Sequence, residues 1–374
     1  MFNKDRKTIQ LIKGRKNIAE ILFSIAIVLE LIVMMTDHMA SWTIPYRGRV
    51  THVAFVFLCL KILFTEYDYK QVVLVLLSGV LGVISYISCG DEYVIRAIVF
   101  VSAGLGIDFK RNLKIMLWGT LIGTLMIISL ALLGICGDIA DVRHYGRGIV
   151  ETRYCLGFSH ANNVHCMLWY IISLLVILKS DSLKIIHYIS LFAMNIGLYF
   201  LTASRTGLLA TTAVIVLSAV IKQYNNQRIR LSYLAIAVLS FATCITLSLR
   251  SAYTWPLYSE FLEKLDGMLT GRLEMVWEHM PMNSWVMFPG SRISEYVDNG
   301  FVSITYIYGT VVGLLFCSMI IYIIYESYKK NMMDLMIILI SSILVIFMES
   351  TYIINVSLLC NMVLLLCVGI NNYE

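Results

Sequence analysis

The chain has 374 residues, of which 59% are hydrophobic and only 14% charged, and it carries a formal net charge of +5. Its mean hydropathy is +0.79. Soluble domains run near half apolar and a quarter charged, so these proportions exclude an ordinary water-soluble core, and nothing in them points to nucleic acid as a partner. About 20 apolar residues cross a bilayer, which leaves room for roughly a dozen crossings. The expected fold is an all-α polytopic membrane protein, one transmembrane domain over residues 1–374. Four prolines and no Gly/Ser-rich or low-complexity tract give no sign of a second, soluble domain.

In chain order, a basic N-terminal segment leads into a long apolar run without a small-residue cleavage site, which reads as a retained first span. Apolar runs at 18–36, 50–64, 71–89, 93–107, 115–135, 164–178, 185–201, 207–221, 231–249, 300–325, 335–348 and 355–369 predict about twelve transmembrane helices. The run that contains Lys61 is the weakest of them. Nine cysteines lie mostly inside these runs, where Cys behaves as a small hydrophobe. No CxxC pair supports a metal or redox site. Cys136 and Cys155 fall in one connecting loop, where a disulfide is a possible pairing.

With the N-terminus inside, the inner loops collect most of the 29 lysines and arginines, as the positive-inside rule requires. The two faces also differ in kind. Inner cations are mainly lysine, whereas the outer set is Arg47, Arg49, Arg96, Arg143, Arg147, Arg153, Arg205, Arg250, Arg272 and Arg292, with Lys264 the only lysine. Arginine offers a planar fork of donors matched to phosphate oxygens, and lysine a solvated point charge. The outer arginines therefore suggest recognition of a diphosphate or another anion; pairing with outer acids such as Asp138, Asp141, Glu151, Asp266 and Glu274 is the competing explanation.

Two exterior loops are expected, at 136–163 and, as the main one, at 250–298. The first ends in RYCLGFSHANN, in which Arg153 suits an anion and His160 and Asn162 suit a sugar or the orientation of the loop; ordinary helix capping by Asn and Ser, with a surface Arg, is the competing explanation. Between two spans, TASRTG places Arg205 at a tight turn, either snorkelling to headgroups or pointing into a cavity. In the main loop, Arg272, Glu274 and Glu278 share helical spacing against Leu273, Val276 and Trp277, the pattern of an amphipathic helix lying along the membrane. Asp298-Asn299 opens the next run, and Asp298 reads either as a helix cap or as a general base. Gly309 and Gly313 have the spacing of close helix packing. Glu349, in the last outer turn, is a second candidate acid or an arginine partner.

These residues resemble the Wzy-type polysaccharide polymerase and O-antigen ligase superfamily of bacterial membranes. The likeness rests on R-x-x-L-G-F-x-H-x-N at Arg153, Leu156, Gly157, Phe158, His160 and Asn162, on the Ser-Arg turn at Ser204 and Arg205, and on Gly271-Arg272 with Trp277 one place later than usual. Asp298-Asn299 followed by Gly309 resembles the His-x pair and glycine of the ligases, with Asp in place of His, a replacement that tilts the reading toward a polymerase. The resemblance implies a GT-C-like layout and a metal-independent, inverting glycosyltransferase without cofactor. Its substrates would be an undecaprenyl-diphosphate-linked oligosaccharide donor and acceptor, handled on the outer face of the cytoplasmic membrane, with both termini cytoplasmic. It implies catalytic roles for Asp298, Arg153 and Arg272, and diphosphate or substrate binding by Arg205, Arg292, His160, Asn162 and Asn299. A chain-length regulator and a flippase would be partners. A ligase passing glycan to another acceptor, and a flippase for lipid-linked sugar, are the alternatives.

Overall fold

The computed structural model describes residues 2–40, 46–144, 150–224, 226–255, 259–293, 295 and 297–372, with side chains described for these except 2–13, 143 and 144. Arg147 and the side chain of Arg143 thus lie outside the described residues. Helices α1 (Phe2–Asp37), α2 (Arg47–Leu63), α3 (Tyr69–Cys89), α4 (Tyr93–Ala103) and α5 (Phe109–Leu132) lead to a β-hairpin, β1 (Ala140–His144) and β2 (Val150–Tyr154). Then follow α6 (Ala161–Lys179), α7 (Ile185–Thr202), α8 (Arg205–Gln223), α9 (Gln227–Tyr253), α10 (Glu260–Met268) and α11 (Arg272–His279). The chain closes with α12 (Gly300–Tyr308), α13 (Thr310–Lys329), α14 (Met333–Met348) and α15 (Met362–Asn372).

Each of the twelve apolar runs contains helix, though the run at 355–369 becomes α-helical only from Met362, and not all of those helices are long enough to cross a bilayer. Eight are, by length and composition: α1 over Gly14–Asp37, α3, α5, α6, α7, α8, α9 and α13. The protein is therefore an all-α, multi-pass membrane protein, with α4, α14 and α15 as shorter apolar helices. The expected run at 50–64 becomes the 17-residue α2, whose Lys61 is buried and donates to the Leu105 carbonyl. The run at 300–325 is broken in two at Gly309. The hairpin was not expected, and it pairs Ala140 with Tyr154 through His144 with Val150. Cys136 and Cys155 are both free thiols.

The centre of the bundle is α14, apolar on every side and buried except at Asp334 and Leu344. A helix without a polar face belongs inside a protein, and α14 packs against α6, α8, α9, α12, α13 and α15. Its 16 residues make a rod of about 24 Å, short of the roughly 30 Å hydrocarbon thickness. Helices α3 and α7 lie at the periphery with largely exposed apolar faces, as lipid-facing helices do. Chain direction then sorts the loops. One end carries Lys179, Lys184, Lys222, Lys329 and Lys330 at the turns that join α6 to α7, α8 to α9 and α13 to α14. The other carries the hairpin, α10, α11 and the end of α14.

Gly309 holds φ at +97° and ψ at 158°, a region that side chains rarely enter. A Cβ there would also lie 2.2 Å from the Met287 carbonyl oxygen. The break lets the loop at 286–288 lie against Gly309, with the Val286 carbonyl accepting from the Thr310 amide at 2.9 Å. The glycine that the spacing assigns to helix packing is thus required by its backbone; Gly313, whose Cβ would lie 2.3 Å from the Thr305 hydroxyl, is the packing residue. Gly309→Ala should cost at least ~1–3 kcal/mol, read as a lower unfolding midpoint in detergent. Gly267→Ala, at a helical site with nothing within 4 Å, should leave that midpoint unchanged or raise it.

Candidate functional site

A cavity of about 230 Å³ opens at the hairpin end of the bundle, lined by Arg153, His160, Asn162, Ala203, Arg205, Thr206, Met268 to Thr270, Arg272, Met275, Asp298 and Met348. Three guanidinium groups far apart in sequence thus share one hollow. It exists because α14 stops short, and the walls around its end are protein, so polar groups at this depth need not face lipid.

The positions of the lining residues follow from local chemistry. β2 carries Arg153, and the chain beyond it is tied down by bonds from the Cys155 and Gly157 amides to the Ile139 and Asp138 carbonyls, at 2.8 and 2.9 Å. Gly157, at φ +88°, lies where a Cβ would meet Ala131 at 2.8 Å. The Ser159 amide then bonds the His38 carbonyl at 2.8 Å, which delivers His160 as the cap of α6, its Nδ1 accepting from the Asn162 amide at 3.1 Å. At the α7–α8 turn, Ala203 adopts φ +49° and Ser204 caps α8 through the Gly207 amide, leaving Arg205 and Thr206 in the first turn. Asp266 accepts from the Leu273 amide at 2.8 Å and the Glu274 amide at 3.3 Å. It therefore caps α11 from the preceding helix, and what read as an arginine-pairing acid in fact sets the position of Arg272. The first turns of three helices, α6, α8 and α11, border the cavity, and their positive dipole ends favour an anion.

The three arginines differ in what holds them. Arg153 is buried and bonds Glu151 through Nε and Nη2 at 3.0 and 2.8 Å. Arg272 donates to Glu349 at 2.9 Å, to Thr206 at 3.5 Å and to the Met348 carbonyl, with Asp298 at 3.8 Å. Arg205 has only a neutral partner among the described residues, the Met268 carbonyl at 2.9 Å. Among the described residues it is the cavity arginine without a carboxylate partner.

Two carboxylates flank Arg272. Glu349 is buried and its Oε1 accepts from Asn162 at 2.8 Å and Thr206 at 3.3 Å as well as from Arg272. Asp298 keeps 39% of its side chain accessible, yet protein surrounds the carboxylate closely enough that desolvation, followed by the negative Glu349, pushes its pKa up to about 6. Arg272, His160 and the Ser350 amide oppose that rise. Burial works against the charge of Arg272, but Glu349 and Asp298 overcome it and hold its pKa above the ordinary value.

Of the residues singled out from the sequence, Asp298, Arg153, Arg272, Arg205, His160 and Asn162 border the cavity. Asn299 and Arg292 do not. Asn299 is buried, caps α12 through the Val302 amide at 3.2 Å and donates to Ser248 at 2.9 Å; Asp298 is therefore not the cap of that helix. Arg292 is 72% exposed and lies 3.3 Å from Asp91. Glu349, Thr206 and the methionines Met268, Met275 and Met348 complete the site. Glu349, an acid at the end of an apolar run, and Thr206, in the polar TASRTG turn, carried a signal in the sequence; the methionines did not. Compared with protein-family models, with curated proteins and with solved structures, the chain matches none.

Asp266→Ala should remove the cap from α11 and cost about 1–2 kcal/mol, seen as a lower unfolding midpoint and faster proteolysis between residues 260 and 280. Arg292→Ala breaks only an exposed ion pair and should stay within about 1 kcal/mol of the parent protein.

Proposed function

We propose that this protein is a membrane glycosyltransferase that polymerises undecaprenyl-diphosphate-linked oligosaccharide repeats into a surface polysaccharide. In this reading α2, α4, α14 and α15 join the eight long helices in a GT-C-like layout of about twelve membrane segments. The hairpin end faces the outside of the cytoplasmic membrane, and both chain termini lie inside. The observation that carries the reading is the shared cavity, with three guanidinium groups and three helix N-termini around it and a carboxyl of raised pKa in its wall. The lysine-rich loops at the opposite end support the orientation.

The chemistry is a single displacement. Asp298 takes the proton of an acceptor sugar hydroxyl as that oxygen bonds to the anomeric carbon of the donor, and the bond from that carbon to the diphosphate oxygen breaks. The electron pair leaves on undecaprenyl diphosphate, and attack opposite the leaving group inverts the anomeric centre. Arg205 meets the growing negative charge first because no carboxylate among the described residues neutralises it, and Arg153 adds a second fork when the diphosphate competes with Glu151. Fixed cations aimed at a leaving group stabilise the transition state without reorganising. A pKa of about 6 suits the base: the group is ionised at neutral pH and still basic enough to accept a proton.

Purified protein incubated with a synthetic lipid-linked repeat, and no metal or nucleotide, should yield polymer on undecaprenyl diphosphate. Polymer on a different anchor would point to a ligase, and no product at all would refute the assignment. Arg205→Ala should weaken binding of a prenyl diphosphate about 10- to 150-fold, the worth of a charged hydrogen bond at ~1.5–3 kcal/mol. The rate should fall about tenfold per pH unit below roughly 6 as Asp298 takes up its proton, and Asp298→Asn should abolish that limb together with most of the turnover.

A further inference from the structure

Glu349 is placed where an anion is poorly served. It follows the last residue of α14, at the negative end of the helix dipole, and only 6% of its side chain is accessible. Holding Arg272 would not by itself require it, since the Met348 carbonyl, Thr206 and Asp298 are all within reach of that guanidinium. Yet three donors from three elements converge on one oxygen of Glu349: Asn162 of α6, Thr206 of α8 and Arg272 of α11. Asp298, meanwhile, stands 3.8 Å from Arg272, beyond hydrogen-bond length.

Building on the glycosyltransferase reading, we propose that Glu349 is a positioning residue that occupies the guanidinium of Arg272, so that Asp298 stays clear of it and remains the proton acceptor. Two carboxylates compete for one cation. With three donors on one oxygen, Glu349 is held against Arg272, and Asp298 is the carboxylate left facing the cavity. Without Glu349, Asp298 would close on Arg272 and become a weaker base. The groups facing Asp298 are Arg272 from α11, Glu349 and the Ser350 amide beyond α14, and His160 ahead of α6, with Arg153 and Arg205 across the cavity. Of these only Glu349 is a second anion. Asn162, which the sequence offered as a sugar ligand, serves Glu349 in this arrangement.

The test is an infrared titration of the Asp298 carboxyl in purified protein without substrate, isolated by difference against Asp298→Asn. The parent protein should titrate near 6, and Glu349→Gln should lower the midpoint by about one pH unit or more. Should that variant not fold, Asn162→Ala keeps the charge but removes one donor to Glu349, and must move the midpoint the same way by less. An unmoved midpoint in whichever variant folds would overturn the proposal. In turnover, Glu349→Gln should slow the parent and add nothing in the Asp298→Asn background; equal fold-losses in both backgrounds would mean that Glu349 acts independently of Asp298. Because the titration needs no substrate, its failure counts against the role of Glu349, whereas absence of product from the parent protein counts against the glycosyltransferase reading.

Discussion

The structure turns on an ionic junction buried at the end of its most apolar helix. Arg272 and Glu349 meet at 2.9 Å with side chains 12% and 6% accessible, beyond a helix that is otherwise Met, Leu, Ile, Val, Phe and Ser after Asp334. Burying two charges costs several kcal/mol per ion unless every donor and acceptor is used. Here the guanidinium is spent on Glu349, Thr206 and the Met348 carbonyl, while Asn162 and Thr206 donate to the same Glu349 oxygen. Loss of Arg272 would leave Glu349 buried without its cation, so α6, α8, α11 and the end of α14 are held in one mutual arrangement. The cavity is what that arrangement leaves open.

The same region concentrates backbone strain. Of the four non-glycine residues with positive φ, Ala203 and Thr270 line the cavity and Leu156 lies between Arg153 and His160. Such conformations persist only where the surroundings over-determine them. Each one turns the chain abruptly just ahead of a helix whose first turn faces the hollow. Ala203 precedes α8 and Arg205, Thr270 precedes α11 and Arg272, and Leu156 precedes α6 and Asn162. The strain is thus the local cost of aiming three helix starts at one point.

Much of this was legible in the sequence, for a simple reason. Hydrocarbon leaves a helix no choice about where its apolar residues go, so every apolar run found its helix, and the clustered polar residues at the run ends marked one face of the bundle. What escaped depended on contacts the chain makes with distant parts of itself. The pairing of Asn162 with Glu349 spans 187 residues, and the capping of α11 by Asp266 crosses a turn with no cap residue at its own N-cap, Gly271. The hairpin is short and polar, without the apolar alternation that announces a strand. Asp298 was ambiguous because Asp and Asn are both good caps and stand side by side; the neighbouring Asn299 takes the cap itself, which removes that reading for Asp298.

The division between lysine and arginine at the two ends also has a structural basis besides topology. At the lysine-rich end, Lys222 donates to the Ser180 and Asp181 carbonyls beyond α6, Lys330 to the Ile370 carbonyl near the end of α15, and Lys61 to the Leu105 carbonyl beyond α4. A flexible point charge is well suited to the exposed carbonyls and negative dipole of a helix C-terminus. At the other end, most arginines bind carboxylates. Arg47 meets Asp37, Arg96 meets Glu30 at 2.7 Å, Arg292 meets Asp91, and Arg153 meets Glu151. Much of the arginine excess that suggests an anion ligand is therefore already committed to the protein's own acids. The inference to a ligand then rests less on how many guanidinium groups gather there than on the imbalance they leave. Around the cavity, Arg205 faces a neutral carbonyl and three helix N-termini add their partial charges. On the proposed reading, that imbalance is what a diphosphate would meet.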